Sequence, residues 1–199
     1  MTPLVLASTS PYRRELLLRL GLPFTAEKPI FDEDSAKHTL LDARFQPREL
    51  CLFLGREKAR SLARTDNCVI GGDQMLVLNG KIFGKPGTFE KACAQLLEMQ
   101  GKTHELLTSF SVFFQGQEDS FLDVTRLTMA PLSDRQIEQY VQADQPLDCA
   151  GSYKIEKQGI ALFEKIETED FTAIQGLPLL RLTQILKKWG YSVPGPALK

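Results

Sequence analysis

The sequence predicts an α/β protein with a mixed, twisted sheet and flanking helices, in a single domain over residues 1–199. Three observations carry that expectation. Leu4–Ala7 and Cys68–Ile70 are short, continuous apolar runs, as strands buried on both faces are. Turn signals at Asn79-Gly80 and at Gly116 divide longer strand-like stretches. Between them lie segments with leucines at helical spacing and clear start signals. Buried strands, hairpins and flanking helices together make a mixed sheet.

The chain opens strand, turn, helix. Leu4-Val5-Leu6-Ala7 gives the strand and Ser8-Thr9-Ser10 interrupts it. Ser10 is an N-cap residue type, with Pro11 at the first helical position. Leu16, Leu17 and Leu20 recur at helical spacing, and Gly21 followed by Pro23 ends the element. Phe24 to Arg44 reads as irregular and acidic, with Asp32, Glu33 and Asp34 consecutive. Pro47 opens a second helix that turns Leu50, Leu54 and Leu62 to the core and leaves Glu57, Lys58 and Arg60 elsewhere. Cys68-Val69-Ile70 reads as a strand broken by Gly71-Gly72 before Asp73. Met75 to Leu78 and Lys81 to Phe83 flank the hairpin signal Asn79-Gly80. A third helix runs from Phe89 to Gln100 and stops at Gly101. Two long strands follow, His104 to Gln115 and Ser120 to Met129. Ser133 and Gln136 form a capping box for a helix through Tyr140 and Val141. Ala161 to Ile166 is a late strand, and Pro178 starts a terminal helix ending at Gly190. With no repeat, low-complexity tract or linker, one compact unit with a cleft between two lobes is expected.

Composition narrows the partners. At 43% hydrophobic and 25% charged the chain can bury a full core. A formal net charge of -1 gives no global attraction to nucleic acid or membrane, so a bound anion needs a local positive cluster. Cys51, Cys68, Cys93 and Cys149 form no C-x-x-C pair and read as small hydrophobes in a reducing compartment. His38 and His104 lie near no cysteine, against a zinc site. The short apolar run at the N-terminus precedes its arginines, the reverse of a signal peptide. A soluble, cytoplasmic protein is expected.

Ser8-Thr9-Ser10-Pro11-Tyr12-Arg13-Arg14 joins a strand end to a helix start. Free backbone N–H groups and partial positive charge there suit phosphate, with Ser8 and Ser10 adding hydroxyls and Arg13 and Arg14 guanidinium forks. Capping with two solvated arginines is the plainer account. Cations in a first turn oppose the helix dipole, however, and an anion would resolve that conflict, so phosphate binding is preferred. Gly72-Asp73-Gln74 leaves a carboxylate at a strand end, which alone reads as a turn aspartate. Lys85, in Gly84-Lys85-Pro86-Gly87, belongs to no P-loop and alone reads as a surface lysine. Asp32-Glu33-Asp34 is either a magnesium ligand set or a solvated acidic loop. Lys58 alone reads as exposed. The residues taken singly give a phosphate-binding turn with acids available for metal and base, and they name no reaction.

In order and spacing these pieces resemble the Maf family of nucleotide pyrophosphatases over nearly the whole chain. The resemblance runs through Leu6-Ala7-Ser8-Thr9-Ser10-Pro11-Tyr12-Arg13-Arg14, Asp32-Glu33, Arg56-Glu57-Lys58-Ala59, Gly72-Asp73-Gln74, Gly84-Lys85-Pro86 and Asp148-Cys149-Ala150-Gly151-Ser152-Tyr153. It implies a Maf/inosine-triphosphatase-like fold of two lobes around a deep cleft, a homodimer, and metal-dependent cleavage between the α and β phosphates of a nucleotide. It also implies that Asp73 is the general base, that Ser8, Ser10, Arg13, Arg14, Lys58 and Lys85 hold phosphates, and that Glu33 and Asp73 position a divalent magnesium or manganese ion.

Within the family, the branch acting on dTTP and UTP has arginine at the position of Tyr12, threonine at that of Gln74 and glutamine at that of Glu156. Tyr12, Gln74 and Glu156 resemble the branch that hydrolyses 7-methyl-GTP. The chemistry agrees: a cationic 7-methylguanine is attracted by a tyrosine face and repelled by arginine, and Glu156 can accept from the guanine N1–H and amine. An amphipathic surface aromatic and a solvated acid are the plainer accounts of Tyr12 and Glu156. A broader pyrophosphatase for dTTP, UTP or other non-standard nucleotides is one alternative, and a nucleotide-binding regulator of cell division is another. Two carboxylates near phosphates favour an enzyme, since a pure binder gains nothing from them.

Overall fold

The computed structural model describes residues 2–42 and 44–195. Strand β1, Leu4–Ala7, is buried throughout, as a run without a polar face must be. It pairs in parallel with β2, Phe24–Glu27, on one side and with β3, Cys68–Leu78, on the other. Helix α1, Pro11–Leu18, connects β1 to β2, and the Ser10 hydroxyl accepts from Arg13 N at its start. Helices α2, Glu33–Asp42, and α3, Pro47–Arg60, follow β2. A turn at Asn79 and Gly80, both with positive φ, leads into β4, Lys81–Phe83, antiparallel to β3. Helix α4 is Phe89–Met99, and the long strands β5, Thr103–Phe114, and β6, Gln117–Met129, come next. Helix α5, Asp134–Asp144, begins with the expected capping box of Ser133 and Gln136. A 3₁₀ turn, Gln158–Leu162, precedes β7, Phe163–Glu167, which is antiparallel to β6. The short α6, Phe171–Ile174, and α7, Leu179–Lys188, follow β7. The strands hydrogen-bond in the order β2-β1-β3-β5-β6-β7, with β4 on β3, a mixed open sheet with flanking helices.

The chain forms two compact units: one takes the chain to Asp73, Thr108–Asp123 and everything from Asp170, the other Gln74–Leu107 and Val124–Glu169. The first unit is built on the two faces of β1. Leu4 and Leu6 join Leu16 and Leu17 of α1, Phe110 and Val112 of β5, and Leu182, Ile185 and Leu186 of α7. Val5 and Ala7, pointing the other way, join Val69 and Ala59 of α3. In the second unit α4 packs on α5, and His104, Tyr153 and Phe163 cluster with ring centroids 4.9 to 5.9 Å apart. Among the described residues, no helix is long and apolar enough to cross a membrane.

Several expectations are corrected. Phe24 to Arg44 is not irregular: it holds β2 and α2, while Ala43 lies outside the described residues. Asp32 stands just before α2, its carboxylate accepting from Ser35 N at 3.1 Å, so the acidic run is a helix cap and first turn, where negative charge meets the dipole favourably. Gly71-Gly72 does not break β3, which runs through both. A Cβ on Gly71 would stand 2.3 Å from Ala59 N, and one on Gly72 2.7 Å from the Ser109 carbonyl oxygen. The glycines admit a helix on one face and a strand on the other, and the unbroken strand delivers Asp73 buried. The late strand begins two residues after Ala161, behind the 3₁₀ turn.

Candidate active site

Three side chains from three elements of the first unit converge. Lys58, in the last turn of α3, is only 9% exposed, although its helix position alone reads as a surface lysine. Its ammonium lies 2.7 Å from Asp73 Oδ1 and 2.6 Å from Glu33 Oε2. Glu33 opens α2, and Lys37, one turn on, pairs with its other oxygen. Asp73 is 4% exposed, and its Oδ2 is buried without a hydrogen-bond partner. Burial works to raise the Glu33 carboxyl, but Lys58 and Lys37 outweigh it and hold the group down at about 2. Burial likewise opposes charge on Lys37, and Asp73 with Glu33 reverses that and raises it.

Isolated buried ions are costly, and a buried ion pair is seldom the most stabilising solution for a core. A buried charge cluster that leaves one carboxylate oxygen unused marks a site for chemistry. The donor set fits a hard divalent cation. Magnesium is held through one or two carboxylates with substrate phosphates and water completing its octahedron, and of the Glu33 and Asp73 oxygens Asp73 Oδ2 is the one that no lysine engages. Among the described residues no group of three or more His, Cys, Asp or Glu side chains is gathered for a metal.

The β1–α1 turn forms a second grouping in the same unit. Ser8 is buried and its hydroxyl accepts from Ser10 N at 3.1 Å, while Ser10 caps α1. A cavity of about 360 Å³ opens beside them, lined by Ser8, Thr9, Ser10, Arg14, Glu27 and Lys28 among others. Arg13 is half-buried, and its Nε donates to the Gly176 carbonyl at 2.9 Å. One of its five N–H groups is therefore structural, and the rest of the fork remains for a ligand. Tyr12 is half-buried in the first turn of α1.

Three expected residues lie in the second unit. Gln74, half-buried, directly follows Asp73 on β3. Lys85 is exposed between β4 and α4, and Glu156 is exposed in the turn ahead of the 3₁₀ segment. Two charged residues escaped the sequence reading. Lys37 was legible as the i+4 partner of Glu33 once Glu33–Asp42 is taken as a helix. Lys28 follows the last residue of β2, a strand whose exposed, non-alternating residues give no period-2 signal.

The Maf family model, described as a Maf-like protein, matches residues 3–189. A 7-methyl-GTP pyrophosphatase of Bdellovibrio bacteriovorus is 50% identical over 184 residues, which is 92% of this chain and 95% of that protein. The protein of the same name from Pseudomonas putida is 45% identical over 198 residues, covering 98% of this chain and all 100% of its own. A third, from Polaromonas sp., is 47% identical over 195 residues, or 96% of this chain and 86% of that protein. A family match running from β1 into the end of α7 takes in Glu33, Lys58 and Asp73 together with the β1–α1 turn. The chain belongs to the Maf family.

Proposed function

We propose that the protein is a pyrophosphatase that hydrolyses 7-methyl-GTP to 7-methyl-GMP and pyrophosphate, removing a modified nucleotide. The observation that carries the reaction is the unpartnered Asp73 Oδ2 beside a buried Lys58. The substrate follows the relatives, which share the name 7-methyl-GTP pyrophosphatase at 45 to 50% identity.

Asp73 Oδ2 accepts the proton of a water whose oxygen attacks the α-phosphorus. The bond from that phosphorus to the bridging oxygen breaks, and pyrophosphate leaves with the bond's electron pair. Lys58 holds Asp73 through Oδ1 and leaves Oδ2 unpaired. Two of its three ammonium N–H donors face the carboxylates, and the third is available to a phosphate oxygen. Ser8, Ser10, Arg13, Arg14 and Lys85 hold the phosphates, neutralising charge that grows on the leaving group. Glu33 and Asp73 would hold a magnesium or manganese ion, which when bound supplies charge neutralisation and lowers the pKa of water. The protein works as a cytoplasmic homodimer in this reading.

Base selection is assigned to Tyr12, Gln74 and Glu156. Attraction between a tyrosine face and the cationic 7-methylguanine contributes roughly 0.5–2 kcal/mol over a neutral ring. Glu156 pairs with the guanine edge, and a base lacking that edge leaves the carboxylate poorly satisfied. Pyrophosphate release across a nucleotide panel, with magnesium, tests the reading. The expected result is 7-methyl-GTP above GTP, with UTP and dTTP poor. Equal rates on all would support a broader pyrophosphatase, and tight binding without turnover a regulator. The combined variant Tyr12→Arg, Gln74→Thr, Glu156→Gln should move the kcat/KM ratio of 7-methyl-GTP to UTP towards UTP, further than any single change. An unchanged ratio would remove these residues from base selection.

A further inference from the structure

The turn carrying Glu156 is fixed at its base by one residue, Lys154. Its N–H donates to the Tyr140 hydroxyl at 2.8 Å. Its carbonyl accepts from Lys157 N and Gly159 N, both at 3.1 Å. Its ammonium donates to the Gln145 carbonyl at 3.1 Å and pairs with Asp148 Oδ1 at 3.3 Å. The closure requires glycine at 159, where a Cβ would stand 2.3 Å from the Lys154 carbonyl oxygen.

Tyr140, buried on α5, is the support beneath this hub. Burial pushes its hydroxyl well above the ordinary tyrosine range, so it stays protonated, and the negative charge of Asp144 one helical turn on acts in the same direction. Asp144 is buried, and its Oδ2 has no hydrogen-bond partner. All of these residues belong to the second unit. Burying a tyrosine, a carboxylate and the stem of a lysine beneath one short turn is a poor way to gain stability, because apolar side chains of similar size avoid the desolvation cost. What the arrangement does supply is a fixed backbone at residues 154 to 157.

We propose that Tyr140 and Lys154 are positioning residues for substrate selection, locking the turn so that the exposed Glu156 meets the guanine edge of the nucleotide. The inference rests on the role of Glu156 proposed above. A contact to a base edge needs its acceptor placed closely, and a displacement of about 1 Å is enough to weaken catalysis and binding markedly. Neither residue touches the substrate.

The test compares Tyr140→Phe in the native protein and in the Glu156→Gln background. The replacement keeps the ring and removes the hydroxyl that accepts from Lys154 N. In the native background the kcat/KM ratio of 7-methyl-GTP to UTP should fall about fivefold, the size expected for one neutral hydrogen bond, through KM, with kcat within about twofold. In the Glu156→Gln background the same replacement should leave the ratio unmoved. Amide hydrogen exchange at Lys154, Lys157 and Gly159 should quicken in both. Lys154→Met, which removes the ammonium contacts to Gln145 and Asp148 and spares the Tyr140 hydroxyl, is the second variant should Tyr140→Phe fold poorly, and the same background dependence is expected. If Glu156→Gln alone lowers the ratio but neither second replacement does, or if each lowers it equally in both backgrounds, the positioning role is overturned and Glu156 keeps its own. If Glu156→Gln alone leaves the ratio unchanged, the base-selecting role fails and the positioning role with it.

Discussion

Among the described residues each unit buries two polar atoms that no hydrogen bond satisfies, and the surroundings of one from each, Asp73 Oδ2 and His104 Nδ1, could hardly differ more. In the first unit, Asp73 Oδ2 belongs to a carboxylate tied by its other oxygen to Lys58, which Glu33 shares. In the second, His104 Nδ1 belongs to a ring packed against Tyr153 and Phe163, with Nε2 3.2 Å from the Tyr153 hydroxyl. An unused acceptor within a charge cluster is a group kept ready for a proton or a cation. An unused atom on a neutral ring among aromatics is a modest cost that packing offsets. The distinction predicts where a substitution removes catalysis and where it alters only stability.

The largest effect is expected at Asp73. Asp73→Asn keeps the shape and one oxygen towards Lys58 but removes the base, so pyrophosphate release should fall about 10²–10⁴-fold. Nucleotide binding, measured by calorimetry, should persist. A variant turning over near the native rate would mean that Oδ2 takes no part in the reaction, and the contrast between the two buried atoms would lose its meaning.

A second test addresses how Asp73 is delivered. Gly71 lets α3 press directly on β3, with a would-be Cβ 2.3 Å from Ala59 N. The obstacle is backbone and cannot swing aside. Gly71→Ala should therefore cost about 3 kcal/mol of stability, the upper end of ordinary overpacking, and lower activity by moving Lys58, the residue before Ala59, relative to Asp73. Urea unfolding reads the first effect and pyrophosphate release the second. A variant of native stability would show that helix and strand do not need this close approach.

These two residues also show what the sequence could reveal. Ser10-Pro11 and Asn79-Gly80 are local devices whose residue types state their own geometry, and both elements form where the sequence places them. Gly71-Gly72 uses the same residue type for a non-local reason. The neighbours that forbid a side chain, Ala59 and Ser109, come from other elements, so the pair reads as a break when it is a contact. Lys58 fails to declare itself for the same cause: its partner Asp73 lies on a strand and Glu33 on another helix, and nothing in α3 points to either. The acidic run 32–34 is a different matter. Its cap and first-turn pattern is local, and an account of the three acids as magnesium ligands or as a solvated loop leaves out α2 and with it Lys37. The roles proposed for Asp73 and Glu33 rest on family resemblance, and the structure adds that the Lys58 ammonium pairs with both carboxylates.

The smallest effect tests the second unit. Burial drives the His104 imidazole down to about 4 from its ordinary 6.5, so the folded state takes up its proton later than the unfolded chain does. Above pH 6.5 neither form is protonated and the residue confers no pH dependence. As pH falls from 6.5 towards 4 the unfolded chain gains a proton that the folded state refuses, and stability is lost through that window. Below 4 both states are protonated and the loss levels off. His104→Phe abolishes this term while leaving Tyr153 with an unmatched hydroxyl, so the variant should be slightly less stable at pH 7 and should lose less on acidification. The difference between the two proteins should change by about 2 kcal/mol between pH 7 and 4.5, read from urea midpoints at each pH. Catalysis at pH 7 by the folded variant should be within a fewfold of native, because the aromatic cluster holds no group assigned to the chemistry. Parallel pH profiles would mean that His104 is protonated as readily in the folded protein as outside it. Turnover lost along with stability would mean that its unsatisfied nitrogen is no mere cost of packing, and the two buried atoms would then belong to one class.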